Sequence, residues 1–261
     1  MSDTDLVLYA VADACATITV NRPKALNALN TAVLEGLSVA VDRAVADPAV
    51  RVIALRGAGE RAFIAGADIA DFVGATPTDA LAMAARIRRP MDAIAASPKP
   101  VVAVIHGFCL GGGLEIALAC DIRIAADTAK LGVPEVKLGI LPGGGGTVRL
   151  TKIAGSSVAR QLCMLGEPIT AQRAFDLGLL AAVHPEAALE EAAQALIDRL
   201  AEMPPFALAQ MKSSLNMAMH ADTDTALQAE IKSFALCFAT EDQQEGARAF
   251  LDKRKPAFRG R

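Results

Sequence analysis

Two glutamates in this 261-residue chain stand where a carboxylate needs a reason to be. Glu115 ends the stretch "HGFCLGGGLE", three residues after Gly112 and at the start of an apolar run. Glu135 follows Pro134 in "LGVPEVKLG", flanked by Val133, Val136 and Leu138. Burying a carboxylate is unfavourable unless it is hydrogen-bonded or neutral, so such a pair is a candidate for moving protons. Gly111, Gly112 and Gly113 open what reads as a helix, although glycine there costs roughly 1 kcal/mol per residue relative to alanine. The first amides of a helix have no intrahelical partner and lie at its positive end, so they suit an oxygen gaining negative charge, and glycine lets that oxygen come close.

Two further stretches carry similar features. In "RAFIAGADIADF", residues 61–72, the small Ala65, Gly66 and Ala67 would let a ligand approach the backbone, and Asp68 is expected to fix the turn by bonding nearby amides. In residues 131–150, Glu135 lies in a strand-like segment, and Gly143 to Gly146 form a loop into a helix starting near Thr147. Taken singly, each stretch also has a plainer reading: close packing of strand on helix, a capping aspartate, an exposed edge-strand glutamate. A nucleotide phosphate site fits less well, because neither glycine run gives GxxxxGK[ST] or a GxGxxG in its expected setting.

The elements that must position these residues alternate through the first two thirds. "LVLYAV", "ATITVN", "VRVIALRG", "VVAVIHG" and "DIRIAAD" read as strands, and a helix capped by Asn30 carries Leu34, Leu37, Val41 and Val45 at helical spacing. A second helix over "TDALAMAARIRRPMDAIAAS" is expected to break near Pro90. After about residue 147 only "LLAAVH" reads as a strand, and helices are expected over 156–165, 170–177, 185–202, 205–220 and 222–251, with a loosely ordered tail "KRKPAFRGR". The class is α/β with a helical final third.

Composition narrows the function. With 53% hydrophobic residues, a net charge of −3 and scattered lysines and arginines, the chain buries a sizeable core and lacks a nucleic-acid footprint. Cys15, Cys109, Cys120, Cys163 and Cys237 show no metal-ligand spacing and read as buried thiols in a reducing compartment. The N-terminal stretch does not read as a signal peptide and no long uncharged apolar span occurs, so a cytoplasmic protein without membrane contact is expected.

Five stretches in order, "NRPKALNALN", "AFIAGADI", "HGFCLGGGLEIALACDIRIA", "GVPEVKLGILPGGGGTVRL" and "FATEDQQEGARAFLDKRKPAF", resemble the crotonase (enoyl-CoA hydratase/isomerase) superfamily over residues 21–258. The resemblance implies a crotonase-like ββα spiral core that binds acyl-CoA, residues 1–200, and a helical region, residues 201–261, that joins subunits into trimers or hexamers. It implies an oxyanion hole at the amides of Ala67 and Gly112, with acid/base carboxylates at Glu115 and Glu135. Lys24, Ala25, Leu26, Ala65, Asp68, Ile69 and Gly111 fall where the family binds its substrate. Gly143 falls near the catalytic water, and Phe250 and Lys253 where a neighbouring subunit meets the CoA. Cys109 departs from the family's usual small residue and reads as a buried side chain, while His106, His184 and His220 read as structural or exposed.

The presence of both glutamates resembles the hydratase pattern: a lyase of fatty-acid β-oxidation type that adds water to a 2-enoyl-CoA. No metal and no cofactor is expected, coenzyme A being part of the substrate. An isomerase, a hydratase of branched or aromatic acyl-CoAs, and a non-catalytic CoA- or RNA-binding member are the alternatives.

Overall fold

The structure, a computed structural model, describes residues 5–261, so the first four residues of the N-terminal stretch and of the 1–200 region lie outside it. In chain order the strands are β1 (Val7–Ala12), β2 (Cys15–Val20), β3 (Val52–Gly57), β4 (Ala62–Ile64), β5 (Val101–Ile105), β6 (Phe108–Leu110), β7 (Ile122–Ala126), β8 (Lys130–Gly132), β9 (Ile169–Thr170) and β10 (Ala182–His184). The helices are α1 (Thr31–Ala46), α2 (Pro77–Ala96), α3 (Gly112–Ala119), α4 (Gly146–Leu165), α5 (Ala171–Asp176), α6 (Leu189–Ala201), α7 (Pro205–His220), α8 (Thr223–Cys237) and α9 (Glu241–Leu251).

The strands form two sheets. One runs β1-β2-β3-β5-β7-β10, antiparallel only at β1/β2, and the other runs β4-β6-β8-β9, antiparallel only at β8/β9. Successive strands alternate between the sheets before each helix: β3-β4-α2, then β5-β6-α3, then β7-β8-α4. This is the expected ββα spiral. The apolar run Val101–Ile105 is buried at every position, as a parallel strand covered on both faces requires. Phe63, Ile64, Leu114, Ile116, Leu131 and Leu150 pack into the main core between the sheets and helices.

Several expectations need correction. Pro90 does not interrupt α2, which continues from Pro77 to Ala96 with Pro90 buried inside it. The departure from helical geometry falls instead in α4, at Gly155 with φ 82°, so that its second half matches the helix expected from residue 156. The helix expected over 222–251 is two, parted around Thr240, whose side chain caps α9 by accepting from Gln243 N. The basic tail is pinned rather than loose. Arg254 pairs with Glu245, Asp242 accepts from the amides of Arg259 and Gly260 at 2.7 and 2.8 Å, and Arg51 donates to the Phe258 carbonyl. Asn30 does cap α1, accepting from Val33 N.

Cys15, Cys109 and Cys120 are buried as expected, but Cys163 and Cys237 are only partly so. Burial pushes the Cys109 thiol strongly upward, which suits an inert packing role. Among the described residues no helix is long and apolar enough to cross a membrane.

Candidate active site

Three adjacent parallel strands of the smaller sheet end at one place, and each hands over to a stretch singled out above. β4 leads into Ala65–Asp68, β6 into Gly111 and α3, and β8 into Pro134–Glu135. Carboxyl ends of parallel strands are where α/β folds place ligands.

At the first turn, the backbone of Gly66–Asp68 pairs with Leu29. Leu29 N donates to the Gly66 carbonyl and Asp68 N to the Leu29 carbonyl, both at 2.8 Å. That parallel bridge uses the groups on either side of Ala67 and turns Ala67's own N–H the other way. Asp68 does not bond nearby amides as expected. Its carboxylate accepts from Arg22 Nη2 at 3.1 Å, a charged donor that outcompetes a neutral amide. Arg22 also holds the Ala28 carbonyl. Asn27, wholly buried, donates to the carbonyls of Ala58 and Ala62 and accepts from Arg22 N. These two residues, which sequence reasoning missed, fix the Lys24–Leu26 segment against β4. Leu26 O accepts from Ala65 N, while Lys24 and Ala25 are exposed on a 3-10 turn, Pro23–Ala25.

At the second turn the three glycines have three different reasons. Gly111 adopts φ 51° and ψ −124°, a conformation a side chain would strain. Gly113 lies against β4, where an added Cβ would fall 2.1 Å from the Ile64 carbonyl oxygen; close packing is its whole explanation. Gly112 is the first residue of α3, so its amide has no intrahelical acceptor, and an added Cβ there would meet Leu29 Cδ1 at 2.9 Å.

Glu115 follows in the first turn of α3, 2% exposed. Its Oε1 accepts from Gly144 N at 2.8 Å and from Gly146 N at 2.7 Å. The glycine loop ahead of α4 is therefore a cradle for this carboxylate, a role the sequence reading did not assign. Burial raises the Glu115 pKa, and the amides of Gly146 and Gly144 pull against that rise.

Glu135 is not in a strand. It belongs to a 3-10 turn, Pro134–Leu138, because Pro134 lacks the N–H that would continue the ladder from β8 and its fixed φ suits a helical first position. Oε2 of Glu135 is buried without a hydrogen-bond partner. Burial, with a smaller contribution from the charge of Glu115, pushes its pKa up to about 7.

Both carboxylates line one cavity of about 340 Å³ together with Ala65, Ala67, Ile69, Gly111, Gly112 and Gly143. Its far wall is apolar, made by Phe72, Ala80, Met83, Ala84 and Ile87 from the α2 side and by Leu141. Phe250 and Lys253 do not line it. Phe250 is 84% exposed beside a separate cavity formed by the C-terminal helices. Of the histidines, His106 and His184 are partly buried away from this cavity, and His220 is exposed next to Lys152.

A ββα spiral that alternates strands between two sheets before each helix is the crotonase fold, and it gathers Glu115 and Glu135 at the carboxyl ends of its smaller sheet. Residues 11–261 match the enoyl-CoA hydratase/isomerase family, so the chain belongs to it. It is 43% identical over 244 residues, 93% of this chain and 94% of the relative, to a crotonyl-CoA hydratase of Syntrophomonas wolfei. It is 44% identical over 256 residues, 97% and 98% of the two chains, to a probable enoyl-CoA hydratase of Bacillus subtilis. The crystal structure of an enoyl-CoA hydratase from Bacillus anthracis superposes with a TM-score of 0.94 at 36% identity, covering 98% of this chain and all of that one.

Proposed function

We propose that this protein is an enoyl-CoA hydratase that adds water across the 2,3 double bond of a 2-enoyl-CoA thioester. The observation that carries the reading is one cavity holding two carboxylates of unlike surroundings beside the amides of Ala67 and Gly112. The thioester oxygen accepts from those two amides as negative charge moves onto it during addition, which stabilises the transition state by several kcal/mol in a site shielded from water.

The environments divide the proton work. Glu115, held by two amides on Oε1, suits the carboxylate form and takes the proton from water through Oε2 while the water oxygen bonds to C3. Glu135, with an oxygen that accepts nothing and a pKa of about 7, suits the acid and delivers its proton to C2. The proton left on Glu115 then returns to Glu135 or solvent. Water is the only co-reactant in this scheme, and coenzyme A enters as part of the substrate.

Lys24, Ala25, Leu26, Ala65, Asp68, Ile69 and Gly111 are assigned to substrate binding, and Gly143 to the neighbourhood of the water. The exposed apolar residues of α7 and α8, among them Met211, Leu215, Ile231 and Phe234, support assembly into trimers or hexamers. Phe250 and Lys253 would then reach the CoA of the next subunit. Removal of residues 240–261 should weaken assembly and CoA affinity together, and sedimentation of an intact monomer with undiminished turnover would count against it. A panel of 2-enoyl-CoA thioesters, followed by loss of conjugated absorbance, tests the activity. No hydration of any member would overturn the reading.

A further inference from the structure

The loop that cradles Glu115 is itself held from behind. Arg149, one turn into α4, donates from Nη1 to the Gly144 carbonyl at 2.8 Å. Gly144 thus has its carbonyl on the guanidinium while its own N–H donates to Glu115 Oε1 at 2.8 Å, beside the bond from Gly146 N at 2.7 Å. A donor on that carbonyl fixes the orientation of Gly144 and with it the loop whose amides point at Glu115. Arg149 has only 21% of its side chain exposed and does not line the cavity, so it reaches Glu115 through the loop and not through substrate.

The same guanidinium is tied to α2. Asp92 lies 3.7 Å from Arg149 Nη2 and accepts from Arg88 at 3.0 Å. The loop also rests on that helix: a Cβ at Gly144 would meet Met91 Sδ at 2.7 Å and Ile87 Cγ2 at 2.8 Å. Ile87, Ala84 and Met83 of α2 form the apolar wall of the cavity. One helix therefore shapes the acyl end of the site and anchors the arginine behind the base.

We propose that Arg149 is a positioning residue that aims the Gly144–Gly146 amides at Glu115 and, through Asp92, couples that aim to the acyl wall. The inference rests on the hydratase reading above. The charged and titratable groups around Glu115 are Arg149 from α4 and Glu135 from the 3-10 turn, with Asp92 and Arg88 of α2 facing Arg149, Cys120 at the end of α3, and Cys163 further along α4.

The test is steady-state hydration of a short straight-chain 2-enoyl-CoA across pH by Arg149→Met, Arg149→Lys, Asp92→Asn and Glu115→Gln. Folded Arg149→Met should keep KM close to the parent value, lose about 10²-fold in kcat, and show the acidic limb of its kcat profile at higher pH, because the base has lost both a cation and aligned donors. Arg149→Lys should recover part of kcat. Asp92→Asn should show a smaller loss with the limb moved the same way, and it serves in place of Arg149→Met should that variant not fold. An unmoved limb and parental kcat in folded Arg149→Met, or in Asp92→Asn as its substitute, overturn the proposal. Should Glu115→Gln remain fully active, the hydratase mechanism itself fails; inactive Glu115→Gln beside intact Arg149→Met removes only the role of Arg149.

Discussion

Glu115 sits in the first turn of a helix with one oxygen between two loop amides, whereas Glu135 sits in a 3-10 turn with an oxygen that meets no donor. Burial raises the pKa of both. What separates them is the supply of hydrogen bonds to the charged form: Gly144 N and Gly146 N both donate to Oε1 of Glu115, whereas Glu135 is favoured only by its own amide and its Oε2 meets no donor. Two identical side chains in one cavity thereby acquire different resting tendencies.

The change expected to have the largest effect leaves both glutamates alone. Gly112→Val puts bulk against Leu29 and shifts the amide assigned to the thioester oxygen, so kcat/KM should fall by about 10³-fold while circular dichroism stays that of the parent. The pH limbs of the remaining activity should not move, since neither carboxylate has changed surroundings. Near-parental turnover in folded Gly112→Val would remove the oxyanion assignment.

The next effect is on the pH profile. If Glu135 must be protonated to act, hydration declines as pH rises through about 7, roughly tenfold per unit on the far side. Glu135→Asp, which keeps a carboxyl but draws it back from the apolar wall, should move that limb to lower pH. A profile flat from pH 6 to 9 in the parent enzyme would contradict the acid role.

The smallest effect is on stability. Because the folded-state pKa of Glu135 is raised above its unfolded value, the folded protein favours the neutral form; this contribution is present below the unfolded pKa and lost as pH climbs through about 7. Glu135→Gln is neutral throughout, so its melting temperature should exceed the parent's at pH 9, by about 2–4 °C after allowance for the partial exposure of the group, and match it near pH 4. A gap that does not change with pH would show that Glu135 carries no desolvation burden.

The larger sheet was readable because Val52–Gly57, Val101–Ile105 and Ile122–Ala126 are apolar runs long enough to carry a signal. The smaller sheet was not: Ala62–Ile64, Phe108–Leu110 and Lys130–Gly132 are three residues each, too short for periodicity, and the strand-like segment expected around Glu135 ends at Gly132 instead. The same holds for the site. Glu115, Glu135 and the glycines stood out because carboxylates in apolar runs and glycines at a helix start are locally unfavourable. Arg22, Asn27 and Arg149 did not, because their partners lie across the fold and an arginine or asparagine near a turn is locally ordinary. Strain in the sequence marks the groups that do chemistry; the groups that aim them become visible only in three dimensions.

The central claim, that the two glutamates act on one water as a unit, is tested most directly by a double-mutant cycle on 2-enoyl-CoA hydration. Glu115→Gln and Glu135→Gln preserve shape while removing acid/base function, and each alone should lower kcat by at least about 10²-fold. The double variant should be little worse than the worse single one, because a pair that works together is already disabled by one loss. Losses that multiply in the double variant, or parental hydration in either single one, would contradict it.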